Sequence, residues 1–193
     1  MPKKDRKKMY TVLLGLFFIG TMVLSILGFS GGGIDPNVQG SETTYGGRKF
    51  AQTEGRWITY LEDETPITIA VNPDQLQSYE NLDLSIFEGR QKVYLSAPPT
   101  GDLAQAVAYL KSRINQFKAT VLSCEKDSLG CENLPLKTCK DATKEIGVVI
   151  IREGSTTKLE KEPNCLIIET TFIDLVGMTD KLVLESIGII ERK

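Results

Sequence analysis

The hydrophobic positions of this chain follow three patterns: one unbroken run, several short β-like segments, and two stripes at helical spacing. The unbroken run covers residues 10–29, YTVLLGLFFIGTMVLSILGF, and has no charged residue in twenty positions. As an α-helix it would be about 30 Å long, the thickness of a bilayer's hydrocarbon core. A buried helix of a soluble domain would show a polar stripe, which this run lacks. The run therefore predicts a transmembrane helix.

The residues around this run predict its orientation. Residues 1–8 carry five lysine and arginine residues and one acid, and such a cluster stays on the cytoplasmic side of the membrane. We therefore expect a single-pass protein of the cell membrane, with its N-terminus in the cytoplasm and its C-terminal domain outside. The apolar run is longer than that of a cleaved signal peptide, about 7–15 residues, which favours a retained anchor. Cleavage is the alternative, because Gly28 and Ser30 are small residues that a signal peptidase accepts.

Composition divides the chain into four parts. Residues 30–47 are rich in Gly, Ser and Thr, with almost nothing to bury, and predict a flexible linker. The predicted parts are therefore a basic cytoplasmic tail (1–9), a transmembrane helix (10–29), the linker (30–47) and an extracytoplasmic domain (48–193). The last part is long enough to bury a core of its own.

Short segments rich in aromatic and β-branched residues predict the strands of this domain. Three of them, separated by turn-like residues, predict an antiparallel meander at 48–53, 56–63 and 65–71. A short helix is predicted around 74–79, and residues 80–90 are expected to be irregular. Further strands are predicted at 91–97, 147–153 and 157–170, and Pro163 marks an edge or a bulge in the last of these.

Two stripes at helical spacing complete the predicted domain. Apolar residues in 102–118 recur at steps of four, three, four and three, which predicts an amphipathic helix. A second helix is predicted over 172–190, with Gly188 and Ile189 turning its end back into the core. The order of elements predicts a mixed α/β domain in which the meander continues into one mixed sheet covered by two helices.

Charge and composition exclude several functions. The chain has 23 basic and 25 acidic residues, so that without residues 1–8 it has 18 and 24 and a net charge of −6. A mildly acidic domain argues against binding nucleic acid or anionic lipid headgroups. The chain contains no histidine, which excludes Ser-His-Asp and Cys-His catalysis and most catalytic zinc sites. No cofactor is expected.

All four cysteines, Cys124, Cys131, Cys139 and Cys165, lie in the predicted outside domain. An even number on the oxidising side of a membrane predicts two disulfides. Three pairings are open, and we favour Cys124–Cys131 with Cys139–Cys165. Structural zinc is the alternative, but it usually has a close C-x₂₋₄-C pair, which is absent. A thiol-redox site would normally show C-x-x-C, which is also absent.

Candidate chemistry in the domain is sparse. Trp57, Tyr60 and Tyr94 are aromatic residues that could stack on a sugar or other small ligand, although a core role is the more common one for the single tryptophan. An enzyme without histidine would need paired carboxylates or a Ser-Lys arrangement. The candidates are Asp141 beside Lys140 and the acidic run 62–64, and solvated turns commonly look like both.

The layout of the chain resembles a family of small uncharacterised archaeal proteins anchored by one N-terminal span. The resemblance lies in the lysine-rich start, the glycine-rich tether, the hairpin GRWITYLEDETPITIAVNPDQL and the closing NCLIIET…ESIGI. It implies no activity and no site residues. The favoured function is a membrane-anchored extracytoplasmic domain that binds a protein or forms part of an envelope complex, without catalysis. The alternatives are a histidine-independent hydrolase of the cell envelope and a sensor of a small ligand or sugar.

Overall fold

A computed structural model describes residues 40–83 and 88–191 of the chain. The predicted tail, the predicted transmembrane helix and most of the predicted linker lie outside these residues. Among the helices that are described, none is long and apolar enough to cross a bilayer. The fold below is that of the part from Ser41 onward, which forms one unit.

Four antiparallel strands form a meander in chain order. The strands are β1 (Glu42–Tyr45), β2 (Arg48–Thr53), β3 (Arg56–Tyr60) and β4 (Pro66–Ile69). The turn between β1 and β2 places Gly46 and Gly47 at positive φ, and a Cβ on Gly46 would meet the carbonyl oxygen of Ile189.

Strand β1 lies inside the segment 30–47, so the prediction that this whole segment is a linker was wrong for residues 42–45. The segment has few apolar residues, so its composition resembles that of a flexible linker. Its backbone instead pairs with β2 from Glu42 to Tyr45, and the ring of Tyr45 packs against the small core described below.

Five further strands form a second, separate sheet. They are β5 (Lys92–Ser96), β6 (Thr120–Ser123), β7 (Ile146–Glu153), β8 (Lys158–Glu162) and β9 (Cys165–Thr170). Their order is β6-β5-β7-β9-β8, with parallel pairing except for β8, which runs antiparallel to β9. Pro163 lies in the turn between β8 and β9, so the single strand predicted over 157–170 was wrong: the segment forms two antiparallel strands.

The mixed α/β class is confirmed, but the structure has two sheets where one continuous sheet was predicted. After β4 the chain leaves the meander in a 3₁₀ helix, Pro73–Ser78, in which the backbone N–H of Asp74 donates to the side-chain oxygen of Asn72. The ladder between β3 and β4 has already ended at Ile69, because the N–H groups of Ala70 and Val71 donate to Asp180 and to no neighbouring strand. Strand β6 was not predicted, since its four residues are too few to show a period.

Two α-helices cover one face of the second sheet. They are α1 (Asp102–Ile114) and α2 (Phe172–Ser186), each shorter at its C-terminal end than predicted. Their apolar stripes pack against alternate residues of β5, β7 and β9 to form the larger core, which includes Leu110, Met178 and Ile151. Gly177 of α2 lies against the ring of Tyr79, where a Cβ would approach ring atoms to 2.5 Å.

A smaller core lies between the meander and the end of α2. It comprises Phe50, Trp57, Ile69, Leu76, Leu184 and Ile189. The chain reverses after α2 at Gly188, which has a φ of +73°, and this reversal inserts Ile189 into the small core. The predicted return of residues 188 and 189 is therefore confirmed.

A buried carboxylate joins the meander to the helices. Asp180 of α2 has no solvent exposure, and its Oδ2 accepts hydrogen bonds from the backbone N–H groups of Ala70 (2.7 Å) and Val71 (3.0 Å). Its Oδ1 accepts a hydrogen bond from the hydroxyl of Tyr109 on α1. The guanidinium of Arg113 donates to that hydroxyl and to the carbonyl oxygen of Thr68 in β4. The network therefore fixes the end of β4 to both helices.

The other face of the second sheet is covered by a connection that contains no α-helix. Residues 124–145 run from β6 past β5 to β7, with one 3₁₀ turn at Cys139–Asp141. Disulfides join Cys124 to Cys131, with Cα atoms 6.1 Å apart, and Cys139 to Cys165, with Cα atoms 5.3 Å apart. This is the pairing that the sequence analysis favoured. Few buried apolar residues lie on this face, so the disulfides supply constraint that a packed helix would otherwise provide.

Candidate functional site

Topology creates a crevice at the carboxyl ends of β5, β6 and β7. The chain leaves β5 through α1 to reach β6 on one side, and then returns across the other face to β7 on the opposite side. In open parallel sheets, the point where the connections diverge in this way leaves a crevice outside the carboxyl ends of the strands, and ligands commonly bind there. We call this feature the switch-point cleft.

A cavity of about 340 Å³ occupies the switch-point cleft. Each strand contributes residues at or just after its end: Ala97 and Pro98 follow β5, Cys124 and Glu125 follow β6, and Ile151, Arg152 and Glu153 end β7. The loop closed by Cys124 and Cys131 adds Lys126 and Ser128 to the wall. This loop packs over the residues after β5, because a Cβ on Gly130 would lie 2.9 Å from the ring of Pro99.

The charged groups of the cleft are organised by one ion pair. The guanidinium of Arg152 donates its Nε hydrogen to Oε2 of Glu125 at 2.9 Å and an Nη2 hydrogen to Oε1. These hydrogen bonds hold the pKa of the Glu125 carboxyl below its ordinary value, so Glu125 remains ionised at neutral pH and is unsuited to act as a proton donor. Both side chains are partly exposed, at 43% for Arg152 and 31% for Glu125.

A second feature lies between β4 and the two helices, and we call it the β4 groove. It consists of two cavities of about 940 and 610 Å³, both lined by Arg113 and Gln116. Four of the seven large hydrophobic side chains that are exposed among the described residues line it: Phe117, Phe172, Ile173 and Ile187, with exposures between 37% and 62%. They lie in two pairs, Phe172 and Ile173 in the larger cavity and Phe117 and Ile187 in the smaller. Exposed apolar side chains that line adjoining cavities are typical of an interaction surface.

The free edge of β4 in this groove is closed to strand pairing. Pro66 has no backbone N–H, the carbonyl oxygen of Thr68 accepts from Arg113, and the N–H of Ala70 donates to Asp180. These features are those with which natural sheets prevent edge-to-edge association. A molecule bound in the groove would therefore contact side chains and would not extend the meander.

The structure does not bring the three aromatic candidates together. Trp57 is buried in the small core, and Tyr60, at the end of β3, is exposed. Tyr94 lies in the other sheet, where the ammonium groups of Lys92 and Lys137 are 5.7 and 5.3 Å from its ring centroid. Nothing in this arrangement favours a sugar-binding platform made of these three residues.

The acidic candidates have local structural roles. Asp63 accepts a hydrogen bond from the backbone N–H of Thr65, which stabilises the turn 62–64 and lowers the pKa of its carboxyl. Asp141 accepts from the backbone N–H of Thr138 at 2.8 Å and pairs with Lys137 at 3.4 Å. Within the ranges 40–83 and 88–191, no cluster of His, Cys, Asp and Glu is arranged to hold a metal ion.

The sequence analysis missed both the cleft and the groove. A signal for the cleft was present, because Arg152 and Glu153 directly follow the buried run 147–151, and polar residues at the carboxyl end of a buried parallel strand are candidates for a site. The groove has no comparable local signal. In the sequence Phe117 belongs to the apolar stripe predicted over 102–118, whereas α1 ends at Ile114 and the side chain of Phe117 is exposed.

Comparison with known proteins adds no functional evidence. No protein-family model matches this chain, and no curated protein or solved structure matches it either. Function therefore has to be inferred from the cleft, the groove and the properties of the sequence.

Proposed function

We propose that this protein is a membrane-anchored domain that works outside the cytoplasm and binds a partner protein through the β4 groove. The observation that carries the proposal is that four of the seven large hydrophobic side chains exposed among the described residues line the two cavities of this groove. Exposed apolar side chains that line a groove mark interaction sites more often than ones scattered singly. The domain is then an interaction module or a subunit of an envelope complex.

The groove also indicates the chemistry of the partner. Arg56 and Arg113 line its larger cavity, and none of the described residues that line that cavity is acidic. A complementary surface would present large apolar side chains with aspartate or glutamate beside them. Because the edge of β4 is closed, the partner would dock through side chains, as an amphipathic helix or a structured loop does.

The membrane anchor is proposed from the sequence alone, and the disulfides support only the placement of the domain outside the cytoplasm. Residues 10–29 would contact the lipid bilayer, with the basic residues 1–9 in the cytoplasm. The two disulfides indicate an oxidising environment, which agrees with a domain outside the cytoplasm. An uncharged run followed by a disulfide-bonded domain is the arrangement expected of a protein anchored on that side.

Site-specific photocrosslinking tests the groove. A photoreactive phenylalanine analogue at Phe172 or Ile187, in the full chain in native cells, is expected to give one discrete adduct with another protein. The same analogue at Leu129, which is 86% exposed on the loop closed by Cys124 and Cys131, is the control and is expected to give none. Adding Ile173→Asp should abolish the adducts without changing the melting temperature, because Ile173 is mostly exposed.

Three outcomes would contradict the proposed groove. One is equal crosslinking from Leu129, which would indicate non-specific contact. Another is an adduct that persists with Ile173→Asp, which would place the partner elsewhere. The third is an adduct with the mass of two copies of this chain, which would make the groove a contact between identical subunits.

Intact mass measurement tests the proposed topology. Protein extracted from native membranes and alkylated without reduction should show the full-length mass, near 21.3 kDa, with no label on its four cysteines. Prior reduction should add four labels. A mass lacking about the first thirty residues would indicate a cleaved signal peptide, and labels without reduction would contradict the placement outside the cytoplasm.

A further inference from the structure

We propose that the switch-point cleft is a second binding site, which takes a small zwitterion such as a free amino acid with an apolar side chain. The site is independent of the proposed protein-binding function, since none of the residues that line the cleft lines the β4 groove. The inference rests on the position of the cleft, the geometry of Arg152, the balance of charges and the size of the cavity.

Arg152 is held in a position to bind a carboxylate. A guanidinium has five N–H donors, and the hydrogen bonds to Glu125 use two of them. The bidentate pairing also fixes the plane of the guanidinium, so that little conformational entropy is lost when the remaining donors engage a ligand. The ammonium group of Lys126, next to Glu125 in the chain, adds a second positive charge to the same wall.

The balance of charges in the cleft favours a zwitterion over a simple anion. Among the side chains that line the cavity, Arg152 and Lys126 are matched by Glu125 and Glu153, and Glu160 on β8 and Glu169 on β9 add negative charge near Arg152. The cleft therefore has no excess of positive charge to attract a simple anion over a distance. A molecule with both charges satisfies both kinds of group: its carboxylate binds Arg152 and Lys126, and its ammonium group binds Glu153.

The size and walls of the cavity limit the rest of the ligand. About 340 Å³ is near the lower end of the range for small-molecule sites, about 300–1,000 Å³. Pro98, Ile151 and the disulfide between Cys124 and Cys131 provide the apolar part of the wall. An aliphatic side chain would pack there while the two charged groups remain at the polar part of the wall.

Ligand-observed NMR on the full chain in lipid nanodiscs tests the proposal. The probes are L-leucine, L-valine and L-alanine, each compared with the analogue that lacks the amino group and the analogue that lacks the carboxylate. At least one amino acid is expected to show saturation transfer, with a dissociation constant about tenfold or more below those of its two analogues. Equal binding of a carboxylate analogue would overturn the zwitterion assignment, and absence of binding at 10 mM would overturn the site.

Two variants locate the binding. Glu153→Gln should weaken the binding of the amino acid about tenfold, because the contact with its ammonium group is lost. The weak binding of the carboxylate analogue should be unchanged. Glu145→Gln is the matched control, since Glu145 is exposed and lies just before β7 at the opposite end of that strand. Equal effects of the two substitutions, or none from Glu153→Gln, would show that the ligand binds elsewhere. Melting temperatures of both variants establish that each is folded.

Discussion

Replacing Asp180 with alanine is expected to lower the free energy of unfolding by about 3–5 kcal/mol, as removal of one partner from a buried charged network does. The substitution would leave the N–H groups of Ala70 and Val71 without their acceptor, and it would remove the partner of the Tyr109 hydroxyl. These groups hold the meander to α1 and α2, so the backbone amides of the meander should be the first to lose protection from hydrogen exchange. Denaturant unfolding with hydrogen exchange measures both effects.

Asp174→Ala is the matched control for this prediction. Asp174 is also on α2, but it lies in the first turn, is half-buried, and accepts a hydrogen bond from the hydroxyl of Thr157. Its loss should cost about 1 kcal/mol or less. If the two alanine variants lost equal stability, the hydrogen bonds of Asp180 would not be what holds the meander to the helices.

The stability supplied by Asp180 should also depend on pH. Burial raises the pKa of its carboxyl above the ordinary value, and hydrogen bonds from Tyr109, Val71 and Ala70 only partly oppose this. The native state therefore binds the proton more tightly than the unfolded state, and this group's contribution falls as pH rises from about 4 through the raised pKa. The wild type should be more stable than Asp180→Asn by the largest margin at low pH, and this margin should decline as pH rises through the raised pKa. A margin that does not change with pH would contradict the prediction.

Removing the disulfide between Cys139 and Cys165 is expected to cost about 3.5 kcal/mol on the loop-entropy relation. The cysteines it joins are 26 positions apart, against 7 for the other disulfide, whose removal should cost about 2.5 kcal/mol. It also ties the connection 124–145 to β9, over a face of the sheet with few buried apolar residues. Without this disulfide, the connection 124–145 should no longer stay packed on the sheet.

Two double-alanine variants form a matched pair for this measurement: Cys139→Ala with Cys165→Ala, and Cys124→Ala with Cys131→Ala. Denaturant unfolding of each, at equal ionic strength and with the remaining disulfide intact, gives the two losses directly. Equal losses, or a larger loss for the shorter loop, would contradict the argument from loop length. The second variant should also weaken the binding of an amino acid in the switch-point cleft, because its disulfide forms part of the wall.

The two proposed sites use different parts of one fold. The β4 groove forms where the meander meets the helices, whereas the switch-point cleft forms at one end of the parallel strands. Arg113 crosses the groove from α1 to the carbonyl oxygen of Thr68, and Arg152 pairs with Glu125 in the cleft. Each arginine is positioned by a hydrogen bond within the domain and presents a fixed cation to a bound molecule.

Features that depend on local patterns could be predicted from the sequence. The apolar stripe of α1, the three strands of the meander that begin at Arg48, and the buried strand β7 have periods that are visible within a few residues. The return of Ile189 to the core could be predicted because a glycine precedes an apolar residue at the end of a helical stripe. The membrane anchor is likewise local, and it stays a prediction because it lies outside the described residues.

Only the tertiary structure decided what is brought together from distant parts of the chain. The separation into two sheets, the place of β1 and the strand order are pairings between segments, and a short polar strand gives no sign of its partner. Asp180 is 110 positions from Ala70, and Arg152 is 27 from Glu125. Side-chain spacing along one element reports which face is buried, whereas a groove, a cleft or a buried network depends on which elements share that face.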